Sequence, residues 1–288
     1  MRVRSFAKIN LGIEILGKRQ DGYHELRTLF QTIDLYDELV FKVSPGDRIL
    51  LKGDNPAVPW DSRNLIYKAA QIIRRKAEVF FGVEIHVQKN IPVGAGLGGG
   101  SSNAAVTLFV LNKLWNLHLS DSELLDTAKR LGADVPYFLK GGLCLGTGIG
   151  EVLTPQEEKD PFFCLLVFPG FSIITGDIYR RYQPVLTSGR KESKIIEFLK
   201  SRDFSLLNNG LEETILRHYP QLKTLKTLLS SLGAEMSQVS GTGSAVYGVF
   251  FDKKRAETAV GEIEKEHTVF LVRTLSRELY WKKINAGV

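Results

Sequence analysis

The densest chemical signal in the chain is one continuous stretch: Pro92, Val93, Gly94, Ala95, Gly96, Leu97, Gly98, Gly99, Gly100, Ser101 and Ser102. Five of the seven positions from 94 to 100 are glycine. Glycine reaches backbone angles closed to other residues and lets a ligand approach the chain closely. The apolar run from Asn103 to Trp115 that follows reads as a helix. The first amides of a helix are unpaired and carry partial positive charge. A glycine loop feeding a helix start is therefore a place for phosphate.

Three phosphate-loop patterns compete for these residues. Gly94, Gly96 and Gly99 satisfy the G-x-G-x-x-G spacing of dinucleotide-binding folds. Those folds want an acidic residue about 20 positions on, at a strand end. That distance lands on Asp121, in a helix start after Ser120, so the fit is poor. A P-loop needs a lysine before its Ser or Thr, and none precedes Ser101 and Ser102. A protein-kinase loop leads into a strand, whereas this one leads into a helix. A tight strand-to-helix turn with no ligand is the plain alternative.

Two ionisable residues elsewhere have telling contexts. Asp134 follows Gly132 and precedes Pro136. Locally it reads either as a helix cap ahead of the proline or as a carboxylate held for acid–base work. Lys8 lies where Ala7, Ile9, Leu11, Ile13 and Ile15 alternate with Lys8, Asn10, Gly12 and Glu14. Period two predicts a half-buried strand, with Lys8 and Asn10 on one face. A merely solvated lysine fits that pattern too.

The elements that must hold these residues follow from periodicity and turn signals. After the first strand, Asp21 and Gly22 mark a turn, with strands predicted near 28–34, 38–43 and 48–52. A helix over about 64–81, capped by Asp61 or Ser62, carries the stripe Leu65, Ala69, Ile72, Ile73 and Phe80. Val83, Ile85 and Val87 alternate as a strand. Ser120 and Glu123 form a capping box for a helix ending near Leu131. Residues 143–153 read as a glycine-rich hairpin. Polar residues and prolines cluster over 154–161, and the domain boundary is expected there, dividing 1–153 from 154–288. The second part mixes strands (163–168, 236–240, 245–251, 268–273) with helices (about 190–200, 205–217, 220–232, 254–265), an α+β pattern.

Composition narrows the class. With 288 residues, two domains are the default. The net charge of +6 suits a binder of anionic nucleotides as well as nucleic acid. The basic runs Arg74–Lys76 and Lys253–Arg255 are short and lie in helix-like segments, so nucleic acid is not expected as a partner. No apolar run approaches membrane-spanning length, and polar residues interrupt the N-terminal stretch, so neither a membrane nor a signal peptide is expected and a cytoplasmic location follows. Cys144 and Cys164, both in apolar surroundings, read as buried reduced thiols.

The residues 92–102 resemble the second motif of the GHMP kinases, the superfamily of galactokinase, homoserine kinase, mevalonate kinase and phosphomevalonate kinase. Ala7–Leu11 is similar to its first motif, and Ser240, Gly241, Thr242, Gly243, Ser244 and Ala245 to its third. The three occur in the right order across most of the chain. The run Asp21, Gly22, Tyr23, His24, with Gly132–Pro136, narrows the resemblance to members acting on a cytidine-diphosphate-linked methylerythritol in the non-mevalonate isoprenoid route. One departure is Phe6, where that group usually has proline.

The resemblance implies a two-domain α+β architecture: an N-terminal ATP domain carrying the loop, and a C-terminal α/β sandwich. It implies ATP as donor, with Mg²⁺ as ATP chemistry generally requires, and no metal-ligating carboxylate is identifiable from sequence. It implies Asp134 as catalytic carboxylate, Lys8 as its partner, and residues 92–102 around ATP, with Ser101 and Ser102 as hydroxyl ligands to phosphate or magnesium. Asn10, Tyr23, His24 and Tyr179 match substrate contacts, the aromatics reading a cytosine ring. Gly241 and Gly243 are expected in a tight loop supporting the phosphate loop. Two other readings stay open: a superfamily kinase acting on mevalonate, homoserine or a sugar, and a non-enzymatic nucleotide or RNA binder.

Overall fold

The structure is a computed structural model that describes residues 1–76, 81–158, 160–183, 192–264 and 266–288. Its spine is a long antiparallel hairpin of β1 (Arg2–Lys18) and β2 (His24–Ser44). β2 is one continuous strand where the sequence suggested two. Its C-terminal half pairs with β4 (Gly82–Gln88), and its N-terminal half with β5 (Leu143–Thr147). β3 (Ile49–Gly53) adds in parallel beside β4, and β6 (Val152–Pro155) antiparallel beside β5. The order of this six-stranded sheet is β3-β4-β2-β5-β6, with β1 on the free side of β2. A second, four-stranded antiparallel sheet runs β10 (Thr268–Arg273), β7 (Phe163–Phe168), β9 (Val246–Phe250), β8 (Met236–Val239).

Helices cover the sheets. α1 (Leu65–Lys76) and α2 (Gly99–Leu114) pack on one another, and α2 lies against β1 and β2. Asn64 caps α1, accepting from the Ile66 amide at 2.9 Å, in place of the expected Asp61 or Ser62. The expected extension of this helix over 77–80 lies outside the described residues. α3 (Asp121–Lys129) starts at the Ser120–Glu123 capping box as expected. The one-turn α4 (Val135–Phe138) follows it. In the second half come α5 (Thr175–Arg181), α6 (Lys194–Ser201), α7 (Glu212–His218), α8 (Gln221–Ser231), α9 (Lys253–Ile263) and α10 (Arg277–Asn285). The expected starts of α6 at 190–191 and end of α9 at 265 also fall outside the described residues. The helix predicted over 205–217 is shorter, because Asn209 and Gly210 interrupt it: the Gly210 amide donates to the Ile13 carbonyl, and the Asn209 side-chain carboxamide to the Val239 and Gly241 carbonyls. No helix among the described residues is long and apolar enough to cross a membrane.

The second sheet is apolar on both faces. Leu165, Val167, Val246 and Phe250 face the helices α8 and α9, while Cys164, Leu166, Tyr247 and Val249 pack with Ala7, Ile9 and Leu11 of β1. That shared layer joins the two halves. α10 returns to the first half, where Tyr280 packs on Phe6 and its hydroxyl donates to the Phe138 carbonyl at 2.5 Å. Both cysteines are free and buried.

One expectation about β1 changes. Lys8 and Asn10 do share a face, but that face is not solvated: they are only 3% and 4% exposed. The strand is buried on both sides because the glycine loop covers the polar one, the Lys8 amide donating to the Leu97 carbonyl at 3.0 Å. Register shifts between Phe6 and Lys8, and between Asn10 and Gly12, bracket the two residues. Such bulges re-aim side chains, here at the site.

Candidate active site

The loop enters α2 at Gly98, which has φ 70° and provides no side-chain cap. The first intrahelical bond runs from the Ser102 amide to the Gly98 carbonyl at 2.9 Å. The amides of Gly99, Gly100 and Ser101 are thus the unpaired positive end of a 16-residue helix. Between the glycines, Ala95 and Leu97 point into the core, each 1% exposed, and anchor the loop.

Gly96 is where the glycine loop meets the second half of the chain. Its φ is 75°, and a Cβ there would lie 1.9 Å from the Ser240 carbonyl oxygen. Its own carbonyl accepts from Ser240 Oγ at 3.0 Å and from Lys8 Nζ at 2.9 Å. The Ala245 amide donates to the Ala95 carbonyl at 3.1 Å. The Gly241–Gly243 turn therefore braces the glycine loop directly.

The two loop serines diverge. Ser101 lines the cleft. Ser102 is fully buried, with its hydroxyl 2.7 Å from that of Ser5. With its amide closing the helix, Ser102 has no group left to offer a phosphate or metal. The physical reason is the helical turn: 100° of rotation carries consecutive side chains from cleft to core.

Lys8 and Asp134 come together. Asp134 occupies the N-cap position of α4 but makes no side-chain cap bond, so the local capping reading fails. Its Oδ2 instead lies 3.6 Å from Lys8 Nζ, with the carboxylate 36% exposed to the cleft. Lys8 donates to Asn10 Oδ1 at 2.6 Å and to the Gly96 carbonyl at 2.9 Å. Burial pushes the Lys8 ammonium below its ordinary value of 10.5, and Asp134 opposes that shift. Asn10 is fully engaged, its amide nitrogen donating to Thr28 Oγ1 at 2.8 Å.

Two cavities meet at Asp134. The smaller, 390 Å³, is lined by the glycine loop, Lys8, Asn10, Gly241 and Thr242. It extends to Val58, Asn64, Leu65 and Lys89, which the sequence did not flag. Lys89 is buried in an ion pair with Asp37, which also accepts from the Asn90 and Ile91 amides. Nothing local to Lys89 foretells a partner so distant in the chain. The larger cavity, 1410 Å³, is lined by Tyr23, His24, Tyr179, Tyr182, Lys18 and Arg180, and shares Ser101, Asp134, Ile149 and Thr175 with the first.

The aromatic group gathers, with one rearrangement. The His24 and Tyr179 rings lie 5.4 Å apart at 30°, and Tyr182 meets His24 edge-on. That pair is in direct contact and leaves no space for a third ring between its members. Tyr23 stands 60% exposed at the cavity wall, its face open. Burial, then the charge of Lys18, lowers the His24 pKa, which favours the neutral ring. Burial raises that of the Tyr179 hydroxyl, with nearby Asp134 adding to the effect.

A glycine loop feeding a helix, a buried lysine and a cleft carboxylate on this two-sheet frame match the GHMP class of small-molecule kinases. The model of the GHMP kinases N terminal domain matches residues 64–142, and that of the GHMP kinases C terminal matches 195–268. A 4-diphosphocytidyl-2-C-methyl-D-erythritol kinase of Chlorobium phaeobacteroides (strain BS1) is 44% identical over 89% of this chain and 91% of its own. The crystal structure of a 4-(cytidine 5'-diphospho)-2C-methyl-D-erythritol kinase superposes with a TM-score of 0.80 at 33% identity, covering 95% of this chain and 99% of that one. A homoserine kinase from Cytophaga hutchinsonii shares the fold, with a TM-score of 0.71 at 17% identity over 96% of this chain and 95% of that one. The chain belongs to the 4-diphosphocytidyl-2-C-methyl-D-erythritol kinase family of GHMP kinases.

Proposed function

We propose that the protein transfers the γ-phosphoryl group of ATP to the 2-hydroxyl of 4-(cytidine 5'-diphospho)-2-C-methyl-D-erythritol. The observation that carries this reading is Asp134, placed at the junction of a cavity lined by the glycine loop and a larger aromatic one, with Lys8 beside it. ATP occupies the smaller cavity with its phosphates at the free amides of α2. Val58 and Leu65 supply the apolar end for its base. The acceptor lies in the larger cavity, and its hydroxyl reaches Asp134.

Phosphoryl transfer depends mainly on positioning and on balancing charge. The α2 amides hold the donor phosphates. Asp134 accepts the hydroxyl proton and aims the oxygen. Lys8 offsets negative charge on the acceptor oxygen. Among the described residues no cluster of three His, Cys, Asp or Glu forms a metal cage. Ser101 is a hard oxygen donor lining both cavities, which fits an ion that takes few protein ligands and completes its shell with phosphates and water. Bound with ATP, Mg²⁺ would balance charge on the transferring phosphate.

The same reading divides the chain into an N-terminal ATP-binding domain, 1–153, and a C-terminal domain, 154–288, with β6 ending just past the junction. The cytosine ring stacks on an aromatic face of the larger cavity, and Tyr23 offers the open one. Tyr23→Ala and Tyr179→Ala should each raise the acceptor KM about tenfold, from a stacking loss of about 1–3 kcal/mol, and leave the ATP KM unchanged. Equal effects on both Michaelis constants would count against the stack.

The direct test is ATP-dependent phosphorylation of the cytidine-diphosphate-linked alcohol, run beside mevalonate, homoserine and galactose. The reading expects turnover of the first alone. Preferred turnover of one of the others would replace it.

A further inference from the structure

We propose that Thr28 is a positioning residue that sets which way round the Asn10 carboxamide lies, and through it holds the Lys8 ammonium on Asp134. This rests on the reading of Lys8 and Asp134 as the reacting pair. Thr28 sits on β2, is 2% exposed, and borders the smaller cavity.

The argument is one of hydrogen-bond polarity. Thr28 Oγ1 lies 3.0 Å from the Gly12 carbonyl and 2.8 Å from Asn10 Nδ2. A hydroxyl has one hydrogen, and a carbonyl can only accept. The hydrogen therefore points at Gly12, and the lone pairs left over must accept from an N–H. That requires the Asn10 nitrogen on the Thr28 side and its oxygen on the Lys8 side, where it accepts at 2.6 Å. The reversed carboxamide would put two donors against a buried ammonium. The Asn10 backbone is itself pinned, its carbonyl accepting from the Tyr247 hydroxyl at 2.8 Å. A backbone carbonyl thus dictates, through two side chains, that Lys8 finds an acceptor beside Asn10. Lys8 also donates to the Gly96 carbonyl and faces the Asp134 carboxylate at 3.6 Å, within ion-pair range.

Valine has the shape of threonine without the hydroxyl. In Thr28→Val the carboxamide loses its polarity guide, and the ammonium loses a dependable acceptor. The other titratable groups lining Lys8's cavity, Asp134, Tyr179 and Lys89, are unchanged by it. The expected result is a kcat about tenfold lower or more, as for other supporting residues around a site, with the ATP KM unchanged. The alkaline limb of the kcat profile should move to lower pH, since Lys8 gives up its proton more readily. Thr28→Ser, which keeps the hydroxyl, should restore most of the rate. Thr28→Val should add little on top of Asn10→Ala, because both cut one chain.

Lys8 titration followed by NMR of labelled lysine side chains needs no substrate, and should show a lower pKa in Thr28→Val. A wild type inactive on the cytidine-linked alcohol would sink the functional reading while this titration still judges Thr28. An unchanged kcat profile and Lys8 pKa in Thr28→Val would overturn the inference, as would losses that multiply with Asn10→Ala. Thr28→Ala carries the same measurements if the valine variant does not fold.

Discussion

Asp134→Asn should lower kcat by about 10²–10⁴-fold, the range a positioned acid–base group contributes, while the Michaelis constants for ATP and acceptor move little. The substitution keeps the side chain's shape and removes its charge. Were Asp134 a helix cap, asparagine would replace it almost without effect, since both residues cap well. It makes no such bond, so the loss falls on chemistry. The change also reaches Lys8: Asp134 is what raises the lysine's pKa against burial, and without it the ammonium deprotonates at lower pH. Steady-state kinetics together with circular dichroism decide the matter. A folded variant turning over within about twofold of wild type would remove Asp134 from the chemistry.

Lys8→Met should lower kcat by about 10²–10³-fold, the loss seen when one donor to a developing negative oxygen is removed. Methionine keeps the length and apolar stem, so the packing beside Phe30 survives. A buried ammonium costs several kcal/mol unless its hydrogen bonds are satisfied, and a site that kept one only for stability would be poorly served by it. Its pH signature has a definite sign. The folded pKa of Lys8 lies below 10.5, so between that folded value and 10.5 the unfolded chain holds the proton and the folded one does not. Unfolding free energy from this group therefore rises with pH across that window and is flat on either side. Denaturant melts at several alkaline pH values should show this rise in wild type and its loss in Lys8→Met. Activity runs the other way, because the protonated form works: kcat should fall as pH climbs through the lowered Lys8 pKa. Identical pH slopes of stability in the two proteins would mean that Lys8 is not titrating as a buried group.

Much of this protein was already determined by its sequence. Period two on β1 put Lys8 and Asn10 on one face, since side-chain direction in a strand depends on nothing beyond the strand. The glycine loop before an apolar helix placed unpaired amides at its start, because those are a property of any helix. The order of three motifs carried the family, and with it the two-domain frame. What tertiary structure decided was each matter of distance between remote residues. Locally Asp134 read as a cap or a catalytic group; the fold left its cap bonds unmade and brought it to 3.6 Å from Lys8. Ser101 and Ser102 were equivalent until the turn of α2 sent one to the cleft and the other to Ser5. Lys8 was a half-exposed strand residue until the glycine loop closed over it, and α10 was not foreseen at all. Local pattern records which way a side chain leaves its own element. Burial, charge balance and the polarity of a hydrogen-bond chain such as Gly12, Thr28, Asn10 and Lys8 arise only when distant segments pack, and no spacing along the chain encodes them.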